Sequence, residues 1–245
     1  MFSKSAEFYD EIYAAIGKDY PAEGEKVHEY IQQHKLAGGN RLLDVACGTG
    51  MHANLLSQFY EVEGLDLDAK MLTVSRKKYP AIRFHRGDML DFELKHQFDA
   101  IVCLFSSIGY VKTKSCLQKT IKNMARHLVA GGVLIVEPWF TPDQWHVGRV
   151  STTIVEKPEL KIVRMSRGSR RGSISILEFQ YLIGRSKGIE HRLEIHEMGL
   201  FTHEEYLDAF QSAGLKTTHD VEGLDGRGLY IGLKPPRMDF EVILN

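Results

Sequence analysis

The chain has 245 residues, 43% hydrophobic and 26% charged, proportions that fit one large globular domain or two small ones and exclude a disordered or fibrous class. Its formal net charge is -1, so no global field recruits nucleic acid or an anionic membrane, and phosphate recognition must come from a local cluster of cations. Three cysteines, Cys47, Cys103 and Cys116, are odd in number and lack C-x-x-C spacing, which argues for reduced thiols and against a disulfide framework or a structural zinc site.

The N-terminal stretch carries Lys4, Glu7, Asp10, Glu11 and Lys18 with no apolar core. No apolar run approaches the roughly 20 residues that span a bilayer, so a cytoplasmic protein without an anchor is expected. Pro21 suits the first turn of a helix whose apolar positions Val27, Tyr30 and Ile31 recur at helical spacing, and residues 1–39 are expected to form a helical cap. Residues 41–45 read as a strand running into a glycine-rich turn, 52–59 as a helix and 62–66 as a second strand. A helix over 68–78, strands at 82–85 and 98–105 and a helix over 113–128 follow. Gly131-Gly132 is expected to turn the chain into 133–137, a continuous apolar run typical of a strand buried on both faces. This alternation predicts an α/β fold: a Rossmann-like, seven-stranded sheet with helices on both faces, its cofactor-binding core in residues 40–137.

After Pro138 the pattern changes. Strand-like patches at 150–156, 160–166, 173–183 and 192–198, separated by Pro158, Gly172 and Gly188, predict an antiparallel β insertion over 138–200 that covers the substrate site. Thr202, with Glu205 three residues on, opens a helix to Ala213 that Gly214 stops. Two last strands, near 215–221 and 228–233, complete the sheet within 201–235. No internal repeat breaks the chain, so 1–245 is read as one domain.

The chemistry begins at Asp44-Val45-Ala46-Cys47-Gly48-Thr49-Gly50. A strand that runs into glycines and then a helix lets the backbone approach a ligand closely, although a tight turn in any α/β fold has the same look. Asp66 ends the second strand, where a carboxylate can accept hydrogen bonds from both hydroxyls of a ribose, a device shared by dinucleotide enzymes and methyltransferases. The dinucleotide pattern G-x-G-x-x-G fails because Ala53 stands three beyond Gly50. A methyl donor has no pyrophosphate to cradle, so the missing glycine matters less for it. In Gly87-Asp88-Met89, Asp88 can accept from an adenine amino group while a neighbouring N–H meets a ring nitrogen. Leu104, ending the fourth strand, would lie beside the adenine or methionine portion. Singly, Asp88 reads as a solvated cap and Leu104 as core.

These sites, in this order, resemble the class I S-adenosylmethionine-dependent methyltransferases, with Ala46 where the family loop commonly has Gly. A second resemblance runs nearly end to end, to the bacterial N,N-dimethyltransferases of dTDP-linked 3-amino-deoxysugars of the desosamine and mycaminose type. Its carrying segments are Tyr9-Asp10 through Tyr13, Gly17-Lys18-Asp19-Tyr20, the 44–50 loop, Phe105-Ser106-Ser107-Ile108-Gly109-Tyr110, Val136-Glu137-Pro138-Trp139, and Gly226-Arg227-Gly228-Leu229-Tyr230-Ile231-Gly232. The resemblance implies S-adenosyl-L-methionine as cofactor, no metal, a basic insertion over the substrate and a place in antibiotic or other secondary-metabolite biosynthesis. By matching positions it puts Tyr20, Ala46, Asp66, Asp88, Met89 and Leu104, with the loop glycines Gly48 and Gly50, around the cofactor. It puts Tyr13, Ser151, the stretch Arg164-Met165-Ser166-Arg167-Gly168-Ser169, and Arg227 near the nucleotide-sugar.

Methyl transfer from a sulfonium needs no protein nucleophile, and positioning alone is worth roughly 7 to 11 kcal/mol in well-oriented systems. An amine attacks only as the free base, so Tyr13 is the catalytic candidate, orienting the nitrogen and helping to pass its proton to water. Core packing of an amphipathic helix is its competing role. Arg164, Arg167, Arg170 and Arg171 make the densest basic cluster, suited to phosphate or else to a solvated face, and Arg227 between two glycines is the better single candidate. None of the eleven histidines is assigned as a ligand, and His127 is expected to cap its helix. Trp139 and Trp145 either line the substrate mouth or pack beneath the insertion. The expected partner is a small-molecule amine, a nucleotide-sugar or another, with no nucleic acid and no membrane, and a homodimer is compatible with it. A non-catalytic cofactor-binding module and a nicotinamide oxidoreductase stay open as alternatives.

Overall fold

The computed structural model describes residues 2–236; residue 1 and residues 237–245, which the single-domain expectation takes in, lie outside the described residues. The N-terminal segment forms a short 3-10 turn (Ala6–Phe8) and two helices, α1 (Tyr9–Ala15) and α2 (Tyr20–His34). Asp19 caps α2 by accepting the Ala22 N–H at 3.1 Å. The two helices serve different cores. Val27 and Ile31 of α2 pack with Leu42 and Leu56, whereas Phe8 and Ile12 join a separate apolar cluster with Ile162, Phe179, Tyr181 and Ile183.

The chain then alternates: β1 (Arg41–Val45), α3 (Met51–Leu56), β2 (Glu61–Asp66), α4 (Ala69–Lys78), β3 (Arg83–Arg86), β4 (Phe98–Cys103), α5 (Lys114–Arg126) and β5 (Leu128–Val136). β1 through β5 pair in parallel in the order β3-β2-β1-β4-β5. All six residues of β4 are buried, as a strand covered on both faces requires. α5 buries Leu117, Thr120, Ile121 and Met124, a stripe at three- and four-residue spacing, and Thr113 caps it. His127 follows as its C-cap, with Nδ1 donating to the Asn123 carbonyl at 2.8 Å and Nε2 accepting the Leu94 N–H at 3.1 Å.

One expectation is corrected here. Gly131-Gly132 does not turn the chain into a new strand; it lies inside β5, which starts five residues before Val133 at Leu128. Gly131 takes φ +77, and the pairing jumps from Phe98 opposite Leu128 to Ala100 opposite Val133, so the extra residues leave the ladder as a bulge. The Gly131 carbonyl turns outward and accepts the N–H groups of Leu36 and Ala37, anchoring the end of α2.

Residues 150–199 form four long antiparallel strands, β6 (Val150–Lys157), β7 (Leu160–Arg171), β8 (Ile174–Arg185) and β9 (Gly188–Gly199), in the order β6-β7-β8-β9. α6 (His203–Ser212), opened by a capping box between Thr202 and Glu205, leads to β10 (Lys216–Asp220) and β11 (Leu229–Leu233). β11 slots between β5 and β10, antiparallel to both, and completes a seven-stranded sheet, β10-β11-β5-β4-β1-β2-β3. Strand order reverses beside β1, which has β2 on one side and β4 on the other; in open α/β sheets ligands bind outside the carboxyl ends of the strands at such a point. Among the described residues no helix is long and apolar enough to cross a membrane.

Candidate active site

A cavity of about 1070 Å³ opens at that position. Its walls come from the segments that follow β1 through β5, from the N-terminal helices, from the inner face of the insertion and from the loop before β11.

On one side lies the loop after β1. Ala46, Gly48 and Gly50 all take left-handed backbone angles, φ 60, 55 and 82. The two glycines differ in purpose. A Cβ on Gly48 would meet nothing within 4 Å, so the backbone there faces open cavity, whereas one on Gly50 would sit 2.9 Å from Phe84 Cζ, which makes Gly50 a packing requirement. Ala46 bears its Cβ in the strained region, a cost of about 1–2 kcal/mol that the surrounding hydrogen bonds hold in place. Asp66 fixes the loop: Oδ2 accepts the Gly48 N–H at 2.8 Å and Oδ1 accepts the Asp68 N–H at 2.7 Å. Burial raises the Asp66 carboxyl above its ordinary value, and those two N–H groups pull against that rise. Asp88 and Met89 line the same side, Asp88 Oδ1 accepting the Leu90 N–H at 2.9 Å.

Facing them are Tyr13, Ser151, Arg164, Ser166 and Arg227. Arg164 is buried, 7% exposed, with Nη2 donating to Thr153 Oγ1 at 3.1 Å and the guanidinium 4.9 Å over the Phe179 ring and 5.5 Å over the Tyr13 ring. Burial raises the Tyr13 hydroxyl pKa, with Arg164 opposing. Ser151 Oγ and Ser166 Oγ bridge β6 and β7 at 2.6 Å. Arg227 donates through Nη2 to Glu137 Oε1 at 2.6 Å and also pairs with Asp225.

A methyltransferase-domain family model matches residues 42–132. The chain is 40% identical over 230 residues to the dTDP-3-amino-3,6-dideoxy-alpha-D-glucopyranose N,N-dimethyltransferase of Streptomyces fradiae, covering 93% of this chain and 90% of that one. The crystal structure of Streptomyces venezuelae DesVI matches with a TM-score of 0.89 at 37% identity, over 95% of this chain and 98% of that one. The chain belongs to the S-adenosylmethionine-dependent sugar N-methyltransferases. A third relative, CalS10, an amino pentose methyltransferase from Micromonospora echinaspora, was solved with S-adenosylmethionine bound and matches at a TM-score of 0.84 and 34% identity, over 92% of this chain and 96% of that one.

S-adenosylmethionine is thus the cofactor of this methyltransferase, and the loop fits it. Gly48 leaves the space that a Cβ would fill, and Asp66 and Asp88 put carboxylates on the same wall.

Seven expected residues stand outside the cavity wall. Leu104 shares one face with Ala100 and Val102 at the two-residue period of a strand, and that face is core. Tyr20 is buried edge-on to the His52 ring at 5.1 Å, and Gly50 packs on Phe84. In the stretch 164–169 the pleat decides: Arg164 and Ser166 point inward, while Met165, 49% exposed, and Arg167 point out. Gly168 lies under the Trp145 ring, whose Nε1 donates to the Ser169 carbonyl at 3.1 Å. The basic cluster is therefore split, and its two further members bind protein: Arg170 donates to the Gly172 and Pro142 carbonyls, and Arg171 pairs with Glu197 at 2.7 Å. Trp139 lines the cavity and Trp145 does not.

Lys18, Glu23, Tyr110 and His196 are polar side chains of the wall that were not anticipated as site residues. Lys18 donates to both oxygens of Glu23, at 2.5 and 2.6 Å, and its ammonium sits 3.8 Å over the Phe105 ring. Burial works against the Glu23 carboxylate, but bonds from His52 and Lys18 carry its pKa below the usual range. Tyr110 and His196 complete the set, joined at 2.7 Å. Behind the wall, Glu137 accepts the Phe105 N–H at 2.5 Å while holding Arg227. A signal existed for His196 and for Glu137: Glu137 ends a run of buried apolar residues, and His196 alternates with Glu194 in a strand pattern, which marks both as inward-facing.

Proposed function

We propose that this enzyme transfers methyl groups to the amine of a dTDP-linked amino-deoxysugar and gives the N,N-dimethyl product. One observation carries the acceptor class: Arg164 is buried, and among the described residues it meets the Thr153 and Tyr13 hydroxyls and the Tyr13 and Phe179 rings, with no carboxylate in ion-pair range. A buried guanidinium without a counter-charge is costly, and an anionic ligand such as a diphosphate relieves that cost. The Streptomyces fradiae relative, an N,N-dimethyltransferase of a dTDP-3-amino-dideoxysugar, and CalS10, an amino pentose methyltransferase, support the same class. Arg227 is the weaker cation, because Glu137 and Asp225 already offset its charge.

When bound, S-adenosylmethionine supplies a methyl group on a positively charged sulfur. The chain's own work is positional. Ala46, Gly48, Asp66, Asp88 and Met89 would hold the cofactor, and Arg164, Ser151 and Ser166 would hold the nucleotide-sugar on the opposite wall. Tyr13, Phe105 and Phe179 supply an aromatic lining that excludes water, so the amine meets the methyl group desolvated and oriented. The enzyme would act on this small molecule in the cytoplasm, as a monomer or homodimer.

The test is incubation with labelled S-adenosylmethionine and a dTDP-3-amino-deoxysugar, read by mass. Mono- and dimethylated products are expected, with the free amino sugar a poor substrate. Absence of any methylated product would remove this acceptor.

A further inference from the structure

The methylated amine must shed a proton each time it reacts, and Tyr13 has no basic side chain beside it to take one. Its polar neighbours are the Arg164 guanidinium, which cannot accept, and the Tyr9 hydroxyl. Tyr110 differs. It lines the same cavity from the 3-10 turn Ser107–Val111, and its hydroxyl lies 2.7 Å from His196 Nδ1. His196, on β9, is 1% exposed, and its other nitrogen, Nε2, is buried without a hydrogen-bond partner, 3.7 Å from Glu194 Oε2. Glu194 is itself fixed by the Ser5 hydroxyl at 2.7 Å, the Lys4 N–H at 2.6 Å and the Tyr181 hydroxyl at 3.2 Å. Phe2, at 4.1 Å between centroids, and Phe179, at 5.1 Å, close the two sides of the imidazole.

We infer that Tyr110, His196 and Glu194 form a proton relay serving the acceptor amine, a reading that rests on the amine acceptor proposed above. The substrate ammonium gives one N–H proton to the Tyr110 oxygen, as Tyr110 passes its own O–H proton to His196 Nδ1. Nitrogen keeps the electron pair with which it attacks the methyl carbon. The imidazole becomes imidazolium with its Nε2–H facing the Glu194 carboxylate, and after the product leaves, Nδ1 returns the proton to the Tyr110 oxygen as the Tyr110 O–H gives one to water in the cavity. The secondary ammonium formed by the first transfer reloads the same path, which suits an enzyme that methylates one nitrogen twice.

The electrostatics agree with each role. Burial holds the Tyr110 hydroxyl well above its ordinary value, with Tyr13, Glu194, Tyr181 and Asp66 adding to the rise, so Tyr110 transmits a proton and does not rest as a phenolate. Burial lowers the His196 pKa and Arg164 lowers it further, while Glu194 opposes them, which leaves a neutral imidazole with Nδ1 ready to accept.

The test compares Tyr110→Phe, His196→Gln and Tyr13→Phe in the full chain, across pH, with a dTDP-3-amino-deoxysugar. General base assistance is worth about 10²–10⁴-fold, so at neutral pH kcat should fall on that order in Tyr110→Phe and His196→Gln. In both, the deficit should shrink as pH rises through the amine's own pKa, where the free base no longer needs the relay. Tyr13→Phe should keep the wild-type pH profile. Binding of S-adenosylhomocysteine by calorimetry should be unchanged in all three, which separates a lost relay from a lost fold. A deficit in Tyr110→Phe that is equal at every pH, or no deficit, overturns the relay while leaving the acceptor standing. A wild-type enzyme that methylates no amino sugar overturns both.

Discussion

Glu137 and Arg227 are joined across the floor of the cavity, a carboxylate 1% exposed accepting from a guanidinium at 2.6 Å. The same carboxylate takes the Phe105 N–H at 2.5 Å, at a residue whose φ of 52 is strained. One buried group therefore sets both a substrate-facing cation and the bend after β4. Removing one partner of a fully buried pair is worth about 3–5 kcal/mol, an upper bound here because Asp225 still pairs with Arg227. Glu137→Ala is expected to destabilise the protein by that order in urea unfolding and to raise KM for the nucleotide-sugar. An unchanged unfolding midpoint would sink this account.

The pleat of β7 makes a sharper prediction for substrate affinity. Arg164 faces the cavity and Arg167 faces away, because an odd spacing of three positions puts them on opposite faces of the strand. A hydrogen bond to a charged group contributes about 1.5–3 kcal/mol, so Arg164→Ala should weaken dTDP binding roughly 10- to 150-fold by calorimetry. Arg167→Ala should bind dTDP as the wild type does. Equal losses in the two variants would contradict the assignment.

Asp66 is expected to be the strongest single determinant of cofactor binding among the loop side chains. Its two oxygens both accept backbone N–H groups, so Asp66→Asn must turn an NH₂ toward a donor and disturb the Gly48 backbone. S-adenosylhomocysteine affinity should fall on the order of 10- to 100-fold. Ala46→Gly, by contrast, relieves a left-handed alanine and should bind the cofactor at least as well as the wild type.

Stability should depend on pH through Asp44. Burial pushes its carboxyl from the ordinary 3.8 up to about 7, the Asp66 charge adding to the rise and His52 opposing it, and Oδ2 is buried without a partner. The folded state thus binds the proton more tightly than the unfolded chain, so this group's contribution declines as pH rises from about 4 toward 7 and stays lost above. Asp44→Asn removes that dependence. The difference in thermal midpoint between variant and wild type should grow in the variant's favour between about pH 4 and pH 8. A constant difference over that range would rule the mechanism out.

Much of this fold was legible in the sequence because its signals are local. Parallel strands buried on both faces must be apolar runs, so β1 falls where Arg41-Leu42-Leu43-Asp44-Val45 placed it, β2 starts one residue before the expected Val62, and β4 ends at Cys103, two residues short of the expected Phe105. Capping chemistry is equally local, and Thr202 with Glu205 formed the box that their spacing implied. The start of β5 was not legible, because a glycine with positive φ serves a turn and a bulge alike, and only the pairing with β4 distinguishes them.

For the site, the sequence by itself determined the order of the loop at Asp44 to Gly50, Asp66 and Asp88 along the chain, since each sits at or just past the carboxyl end of a strand and the carboxyl ends of parallel strands share one edge. It also determined that cations cluster near residue 164. Which of those cations meets the cavity was a tertiary decision, made by which face of β7 the register with β6 and β8 turns inward. The pairing of Arg227 with Glu137 across 90 residues and of Tyr110 with His196 across 86 residues was decided in the same way. Such contacts leave no spacing in a sequence, because they arise only when separate elements pack and buried polar groups must find partners among whatever the fold brings near.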